Sequence, residues 1–134
     1  MKTLYVISEQ VSYAQGLVRA ESHNKARFEY VFVPSAGDTV FTLMSDAEDW
    51  LRDRTIYSPA LTNTPLVVYR ILRRIREGAF KPRDLKVFWI GEKEIQGVHP
   101  TGDGTFEAEL EGGFFEAAFD EYLGSILQKG ENDV

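Results

Sequence analysis

The chain has 134 residues, a length typical of one domain, and 43% of them are hydrophobic, so we expect a packed core. It has no cysteine, which excludes disulfides, thiolate zinc sites and a cysteine nucleophile and fits a reducing compartment. The net charge of −6 argues against non-specific nucleic-acid binding by the chain as a whole. The first apolar run, 3–7, is far too short for a signal peptide or a membrane span. We therefore expect a cytoplasmic protein that makes no membrane contact.

The predicted elements alternate between strand and helix, which is typical of an α/β fold with a mixed β-sheet. Strands are predicted at 3–7, 27–33, 85–90, 94–99 and 105–110, with an optional strand at 39–43. Helices are predicted at about 10–23, 46–53, 65–77 and 115–128. The pattern predicts a single α/β domain over 1–130, for which a Rossmann-like fold is one possibility, and a short polar tail at 131–134.

The first half of the chain carries two helix patterns. In the first helix Val11, Ala14, Leu17 and Val18 form the predicted apolar stripe. The turn residues at 34–38 leave open whether a hairpin follows or a strand enters a helix directly. Ser45 to Glu48 reads as a capping box, which predicts that the second helix starts there.

The helix at 65–77 has the clearest signals, because Thr64 and Pro65 suit a helix start and Gly78 suits its end. Its predicted buried stripe consists of Val68, Ile71, Leu72 and Ile75. The basic residues of this region are Arg70, Arg73, Arg74, Arg76, Lys81 and Arg83. No acidic residue precedes Glu77 in the helix, so mutual repulsion favours an anionic or protein partner at these positions. A plain solvated face explains them equally well.

The last third contains a predicted turn at 101–104 and then a predicted strand. On that strand Glu107, Glu109 and Glu111 would share one side, as a solvated face or as a metal or acid/base site. In the helix that closes the chain, the side chains predicted to pack on the sheet are Phe115, Phe119, Tyr122 and Ile126.

Motifs that carry catalysis are missing. There is no Gly-x4-Gly-Lys-Ser/Thr string, and the glycines at 102 and 104 lack the third glycine of a dinucleotide fingerprint. The two histidines, His23 and His99, are too few for a histidine-rich metal site, and no serine lies in a Gly-x-Ser-x-Gly elbow. We predict no catalytic residue, no metal site and no cofactor, and expect a protein that acts by binding rather than as an enzyme.

Four segments, 61–65, 70–78, 81–90 and 113–116, follow one another in a recognisable order. They read Leu-Thr-Asn-Thr-Pro, a basic helix ending in Arg-Arg-Ile-Arg-Glu-Gly, a strand after a Pro-containing turn, and Gly-Phe-Phe-Glu. This order resembles the C-terminal part of the RecF/OLD-like ABC-type ATPases. In that family a Glu-Thr-His-Ser type switch motif precedes a basic helix of this kind.

Residues 4–10 resemble the Walker B strand of the same family, with Ser8 in place of the metal-binding acid and Glu9 retained. The switch histidine of the family falls on Asn63 and its glutamate on Leu61, and the Walker A and signature segments are absent. The resemblance therefore implies a reduced, inactive relative with a fold like half of a P-loop ATPase, or a half-domain that completes another subunit. Its degenerate motif positions are Ser8, Glu9, Thr62, Asn63 and Thr64.

The function that the resemblance implies is that of a non-catalytic, ATPase-like subunit of a prokaryotic defence or DNA-transaction assembly. Its partner would be a larger protein subunit, and nucleic acid would be contacted through the complex. One alternative is a small Rossmann-like ligand-sensing module with a polar pocket near Ser8 and Ser35. Another is a metal-dependent nuclease built on Glu9, Asp38 and the glutamates at 107–111.

Overall fold

Short runs of β-branched and aromatic residues form the strands, and an amphipathic helix follows each of the first three. The computed structural model describes residues 1–35, 37 and 39–113. The strands are β1 (Lys2–Ile7), β2 (Tyr30–Phe32), β3 (Ala60–Thr62), β4 (Leu85–Ile90) and β5 (Ile95–Val98). The helices are α1 (Tyr13–Asn24), α2 (Val40–Arg52) and α3 (Pro65–Arg76), and a single 3₁₀ turn (Pro82–Asp84) precedes β4.

The five strands form one sheet in the order β2-β3-β1-β4-β5. The first four strands of the chain are parallel, because a helix returns the chain between each pair, and β5 runs antiparallel to β4 through a hairpin. In the register, Val6 of β1 lies between Thr62 of β3 and Trp89 of β4. The predicted α/β fold with a mixed sheet is confirmed.

The two faces of the sheet carry different helices. Side chains alternate along β1, so Leu4 and Val6 belong to the core under α2 and α3, whereas Tyr5 and Ile7 belong to the core under α1. On the α1 face, Gly16 lets the helix approach the sheet closely, since a Cβ there would lie 2.5 Å from Cγ2 of Ile7. Thus α1 covers one face, and α2 with α3 covers the other.

The start of α2 corrects two predictions. The helix begins at Val40, where the Thr39 side chain caps it by accepting a hydrogen bond of 3.1 Å from the Thr42 amide. The optional strand at 39–43 and the helix start after Ser45 were therefore both wrong. The physical reason is the buried stripe of α2, which begins at Leu43, two residues before Ser45.

The predicted stripe of α1 is confirmed only in part: Val11 and Leu17 pack against the core, whereas Ala14 is exposed and Val18 is 67% exposed. The fully buried residues of this helix are Gly16 and Ala20. The helix begins at Tyr13, where Ser12 is the N-cap, and its small buried residues suit the close approach to β1. In the 27–33 segment only Tyr30–Phe32 is strand.

The predictions for α3, β1, β4 and β5 are confirmed within a residue or two at each end. All four residues of the predicted α3 stripe are buried, and Gly78 follows the helix with a φ of 81°. By contrast, β3 was missing from the predicted strands. The strand predicted at 105–110 is only an isolated bridge between Pro100 and Phe106.

Two predictions concern the C-terminal part of the chain. The helix predicted at 115–128, with its apolar face, and the tail at 131–134 lie outside the described residues. Within the described ranges, no helix is both long and apolar enough to cross a membrane.

Candidate ligand-binding site

The carboxyl ends of β1 and β3 lie side by side, and the chain leaves them in opposite directions. After β1 it passes to α1 on one face of the sheet, and after β3 it passes to α3 on the other face. Such a topological switch point opens a crevice between the two strand ends, and ligands of open α/β sheets bind in this position. The fold thus places a candidate site at the carboxyl edge of the sheet.

The sequence at this edge is polar. Continuing the pairing of Val6 with Thr62 by two residues sets Ser8 opposite Thr64, and Glu9 follows Ser8. The five degenerate motif positions named from the resemblance therefore come together here: Ser8, Glu9, Thr62, Asn63 and Thr64. Ser35 does not join them, because it follows β2, and β3 lies between β2 and β1.

Thr62 has a complete set of hydrogen bonds. Its hydroxyl donates to the Phe32 carbonyl at 2.8 Å and accepts from the Thr64 amide at 3.2 Å. These bonds hold the end of β3 to the end of β2 and shape the turn into α3. Thr64 is the N-cap of that helix by backbone position, although its side chain makes no capping hydrogen bond.

Ser8 and Asn63 differ from Thr62. The main chain of Ser8 is paired, since its amide donates to the Ile90 carbonyl and its carbonyl accepts from the Val11 amide, both at 3.1 Å. The side chain is 1% exposed, yet its Oγ has no hydrogen-bond partner among the described residues. Oδ1 of Asn63 is buried without a partner in the same way. A buried polar atom without a partner costs about 1–3 kcal/mol, so this pair requires an explanation.

Tyr69 is a further polar side chain near the crevice, close enough to Glu9 to feel its charge, and the sequence pattern did not predict it. It lies in α3 four residues after Pro65, half-buried against the core. Burial, and after it the negative charge of Glu9, raises the pKa of Tyr69, so the phenol stays protonated. The helical spacing from the strand end is the signal that could have found it.

Four polar side chains are placed near these two strand ends, Ser8, Glu9, Asn63 and Tyr69, and none is positively charged. They offer a carboxylate, an amide carbonyl and two hydroxyls, which is a set rich in hydrogen-bond acceptors. The described residues contain no group of three His, Asp or Glu able to hold a metal ion. Asp38, which the nuclease interpretation needs, lies outside them. The arrangement suits a neutral ligand that donates hydrogen bonds.

The basic residues of α3 are arranged differently from the expectation. Glu48 of α2 accepts hydrogen bonds from Arg70 at 2.9 Å and from Arg74 at 3.1 Å. Glu77 accepts from Arg73 at 2.9 Å and from Arg74 at 2.8 Å. The expected repulsion is therefore relieved within the protein by two carboxylates, Glu48 of another helix and Glu77 at the end of α3. No ion pair within the described residues involves the remaining members of the cluster, Arg76, Lys81 and Arg83.

The glutamates predicted to share a strand face have separate structural roles. Glu107 accepts from the His99 amide at 2.8 Å, and Glu111 accepts from the Lys93 amide at 3.1 Å, which closes the β4–β5 hairpin. Since residues 105–110 are not a strand, the predicted shared face is wrong. The turn at 101–104 is confirmed by a 2.7 Å hydrogen bond from the Thr101 amide to the Thr105 carbonyl.

Both histidines pair with groups of the fold. Nδ1 of His23 lies 2.7 Å from the Tyr5 hydroxyl, and Nδ1 of His99 lies 2.8 Å from the Leu85 carbonyl.

No family model, curated protein or solved structure matches this chain. The resemblance to the RecF/OLD-like ATPases therefore stays a prediction, and the residues at the carboxyl edge are the remaining evidence on function.

Proposed function

We propose that the chain is a small binding protein that holds a neutral, polyhydroxylated ligand, such as a sugar or a nucleoside, in the crevice between β1 and β3. One observation carries this proposal: the buried Ser8 Oγ and Asn63 Oδ1 have no partner among the described residues, and both lie at the switch point. This is the ligand-sensing alternative of the sequence analysis, with Asn63 in the place expected for Ser35.

The chemistry of the lining groups supports this ligand class. Sugar hydroxyls donate and accept hydrogen bonds, so they can donate to Asn63 Oδ1 and to the Glu9 carboxylate while they exchange a bond with the Ser8 hydroxyl. A free phosphate is disfavoured, because the exposed carboxylate of Glu9 would repel it.

Thermal unfolding with a small set of probes tests the proposal. The probes are adenosine, ribose and glucose, with inorganic phosphate as the charged comparison. A ligand at a hundred times its dissociation constant stabilises the folded state by about 2.7 kcal/mol. We expect a neutral probe to raise the midpoint of the wild type and to lose this effect in Ser8→Ala and Asn63→Leu.

The matched control is Ser45→Ala, which removes the same hydroxyl from an exposed position in α2. It should keep the full shift. If no neutral probe shifts the midpoint, or if the shift persists in both crevice variants, the ligand-binding proposal fails.

A second candidate function is docking on a larger protein subunit, as the resemblance implied, and a specific observation favours it. Each helix starts at the carboxyl edge with an exposed apolar side chain: Tyr13 at 39%, Phe41 at 76% and Leu66 at 47%. Apolar residues around a polar crevice are typical of surfaces that another protein covers. The ATPase-like and prokaryotic parts of that interpretation stay proposals.

Co-expression with the product of the adjacent gene tests docking. Phe41→Glu should abolish co-purification, whereas Val18→Glu, at an equally apolar and 67% exposed position on α1, should not. Loss in both variants, or in neither, would exclude this edge as the docking surface.

A further inference from the structure

The opposite edge of the sheet holds a second cleft. It lies between the end of α2 with the loop after it, and the connection from α3 to β4, and its volume is about 770 Å³. This volume falls in the range of small-molecule sites. We name it the amino-edge cleft, because it lies where the parallel strands begin. Its charged lining residues are Lys2, Arg52, Arg54, Lys81 and Asp84, and its aromatic lining residues are Tyr57 and Phe80.

The cleft is positive on a protein whose net charge is −6. Arg54 and Lys81 are exposed, and neither forms an ion pair within the described part of the chain. Arg52 is paired with Glu48 at 3.5 Å but keeps 62% of its side chain exposed. Asp84 supplies the single carboxylate of the lining. Arg52 and Arg54 come from the end of α2 and the loop after it, and Lys81 comes from the connection before β4, so the fold brings these three cations to one cleft.

The floor of the cleft is fixed. The Lys2 ammonium donates to the Asp53 carbonyl at 2.5 Å and to the Ile56 carbonyl at 2.6 Å, and it lies 5.2 Å from the centre of the Trp50 ring. These contacts hold the loop after α2 in place beneath the exposed arginines. Lys2 therefore forms part of the floor, and its ammonium is already occupied by the two loop carbonyls.

An aromatic side chain stands beside the cations. Tyr57 is 76% exposed, in the same loop as Arg54, and Phe80 packs its ring against the core across the cleft. Exposed aromatic rings next to a basic groove bind bases by stacking while the cations bind phosphate. Guanidinium groups bind phosphate and carboxylate oxygens alike in pairs, so the exposed Tyr57 ring is the feature that favours a nucleotide over an acidic peptide.

We propose that the amino-edge cleft binds a nucleotide unit, with its phosphate on Arg52, Arg54 and Lys81 and its base on Tyr57. The unit is either a free mononucleotide or one residue of a single strand, since both present the same phosphate and ring. This site is independent of the crevice at the carboxyl edge.

Fluorescence anisotropy with labelled oligothymidylate, competed by unlabelled ATP, tests the cleft on the full chain. Tyr57→Ala should weaken binding about 5- to 150-fold, the effect of losing one stacked base. Phe41→Ala is the control, because Phe41 has the same exposure of 76% at the carboxyl edge. Lys81→Gln should weaken binding and lower the salt slope by about 0.7 for the lost phosphate contact. Its control is Lys93→Gln, the same charge change at the opposite edge.

Competition by ATP distinguishes a free mononucleotide from a single strand as the source of the nucleotide unit. Displacement of the oligonucleotide by ATP identifies a mononucleotide site, and binding of the oligonucleotide without displacement identifies a strand site. The proposal is overturned if neither probe binds, or if the two control variants lose as much affinity as the cleft variants. Equal binding of an oligoglutamate peptide would also overturn it, because the cleft would then select negative charge alone.

Discussion

The two edges of the sheet treat their buried polar groups in opposite ways. At the amino edge the buried ammonium of Lys2 is bonded to two carbonyls and lies over the Trp50 ring. At the carboxyl edge Ser8 Oγ and Asn63 Oδ1 are buried without partners among the described residues. Polar groups that the fold itself needs are paired, so the unpaired ones point to a requirement outside folding.

The edges also differ in their surface charge. The crevice at the carboxyl edge is lined by Glu9 and neutral polar groups, whereas the amino-edge cleft carries Arg52, Arg54 and Lys81. A neutral, hydrogen-bonding ligand therefore suits the first site, and a phosphate-bearing ligand suits the second. The following substitutions break or sharpen this contrast.

The largest effect is expected at the ion pairs next to the amino edge. Glu48 is 12% exposed and pairs with Arg70 and Arg74, which are 25% and 26% exposed. Glu48→Gln should lower the free energy of unfolding by about 2–3 kcal/mol, because it leaves the largely buried guanidinium group of Arg70 without a carboxylate and leaves Arg74 with Glu77 alone. Glu77→Gln is the control at a 41% exposed carboxylate, and it should cost clearly less, because solvent screens that pair. Urea unfolding at neutral pH measures both, and equal losses would contradict the prediction.

The same carboxylate predicts a pH dependence. The hydrogen bond from Arg70, then that from Arg74 and the charges of both, lower the pKa of Glu48 below its ordinary value of 4.5. The unfolded chain therefore binds this proton at a higher pH than the folded protein. The stabilisation is complete above the unfolded pKa and is lost as the pH falls through the lowered folded value. The gap in stability between wild type and Glu48→Gln should thus shrink below about pH 4.5, and a constant gap would contradict this account.

A smaller loss is expected at Lys2 itself. Lys2→Met keeps the length and apolar stem of the side chain but removes both bonds to the loop after α2, so we expect a loss of about 1–2 kcal/mol. Lys86→Met, on the neighbouring strand, is the control and should change stability by under about 0.5 kcal/mol. Chemical unfolding measures both variants. If Lys2→Met is neutral, the floor of the amino-edge cleft is not held by this ammonium.

The sequence predicted the elements whose signals are local. In α3 the apolar stripe, the cap position and Gly78 agree, and β1 and β4 are long apolar runs, so these elements were confirmed. In contrast β3 has only three residues, Ala60–Thr62, and becomes a strand through pairing with β1 and β2 on its two sides. Such pairing is a property of the whole fold and leaves no periodicity to detect.

Competing local signals explain the error in α2. Ser45 and Thr39 both precede helix-compatible residues, and the capping box favoured Ser45. The structure starts the helix at Val40, because Leu43 and Met44 must lie on the buried stripe. The decision between two possible caps was therefore made by core packing, which the sequence pattern alone does not rank.

The candidate sites were predictable only in part. The five motif positions at the carboxyl edge were named from the resemblance, and the sheet does bring them together. That Ser8 Oγ and Asn63 Oδ1 are buried without partners among the described residues is a property of the folded chain that no local sequence pattern shows. The basic cluster was predicted from closeness in sequence. In the fold, Arg70 and Arg74 pair with Glu48, whereas Lys81 lines the same cleft as Arg52 and Arg54.

The smallest effect, and the most informative, is expected inside the crevice, where two hydroxyls on adjacent strands can be compared. Ser8→Ala removes a buried hydroxyl that has no partner, so the free energy of unfolding should stay within about 0.5 kcal/mol of the wild type or rise. Thr62→Val has the same shape as the native side chain but removes two bonds, one to the Phe32 carbonyl and one from the Thr64 amide, and should cost about 1–2 kcal/mol. Urea unfolding without ligand measures this difference. A loss in Ser8→Ala as large as that in Thr62→Val would mean that the Ser8 hydroxyl stabilises the fold. It would then no longer be evidence for a ligand in the crevice.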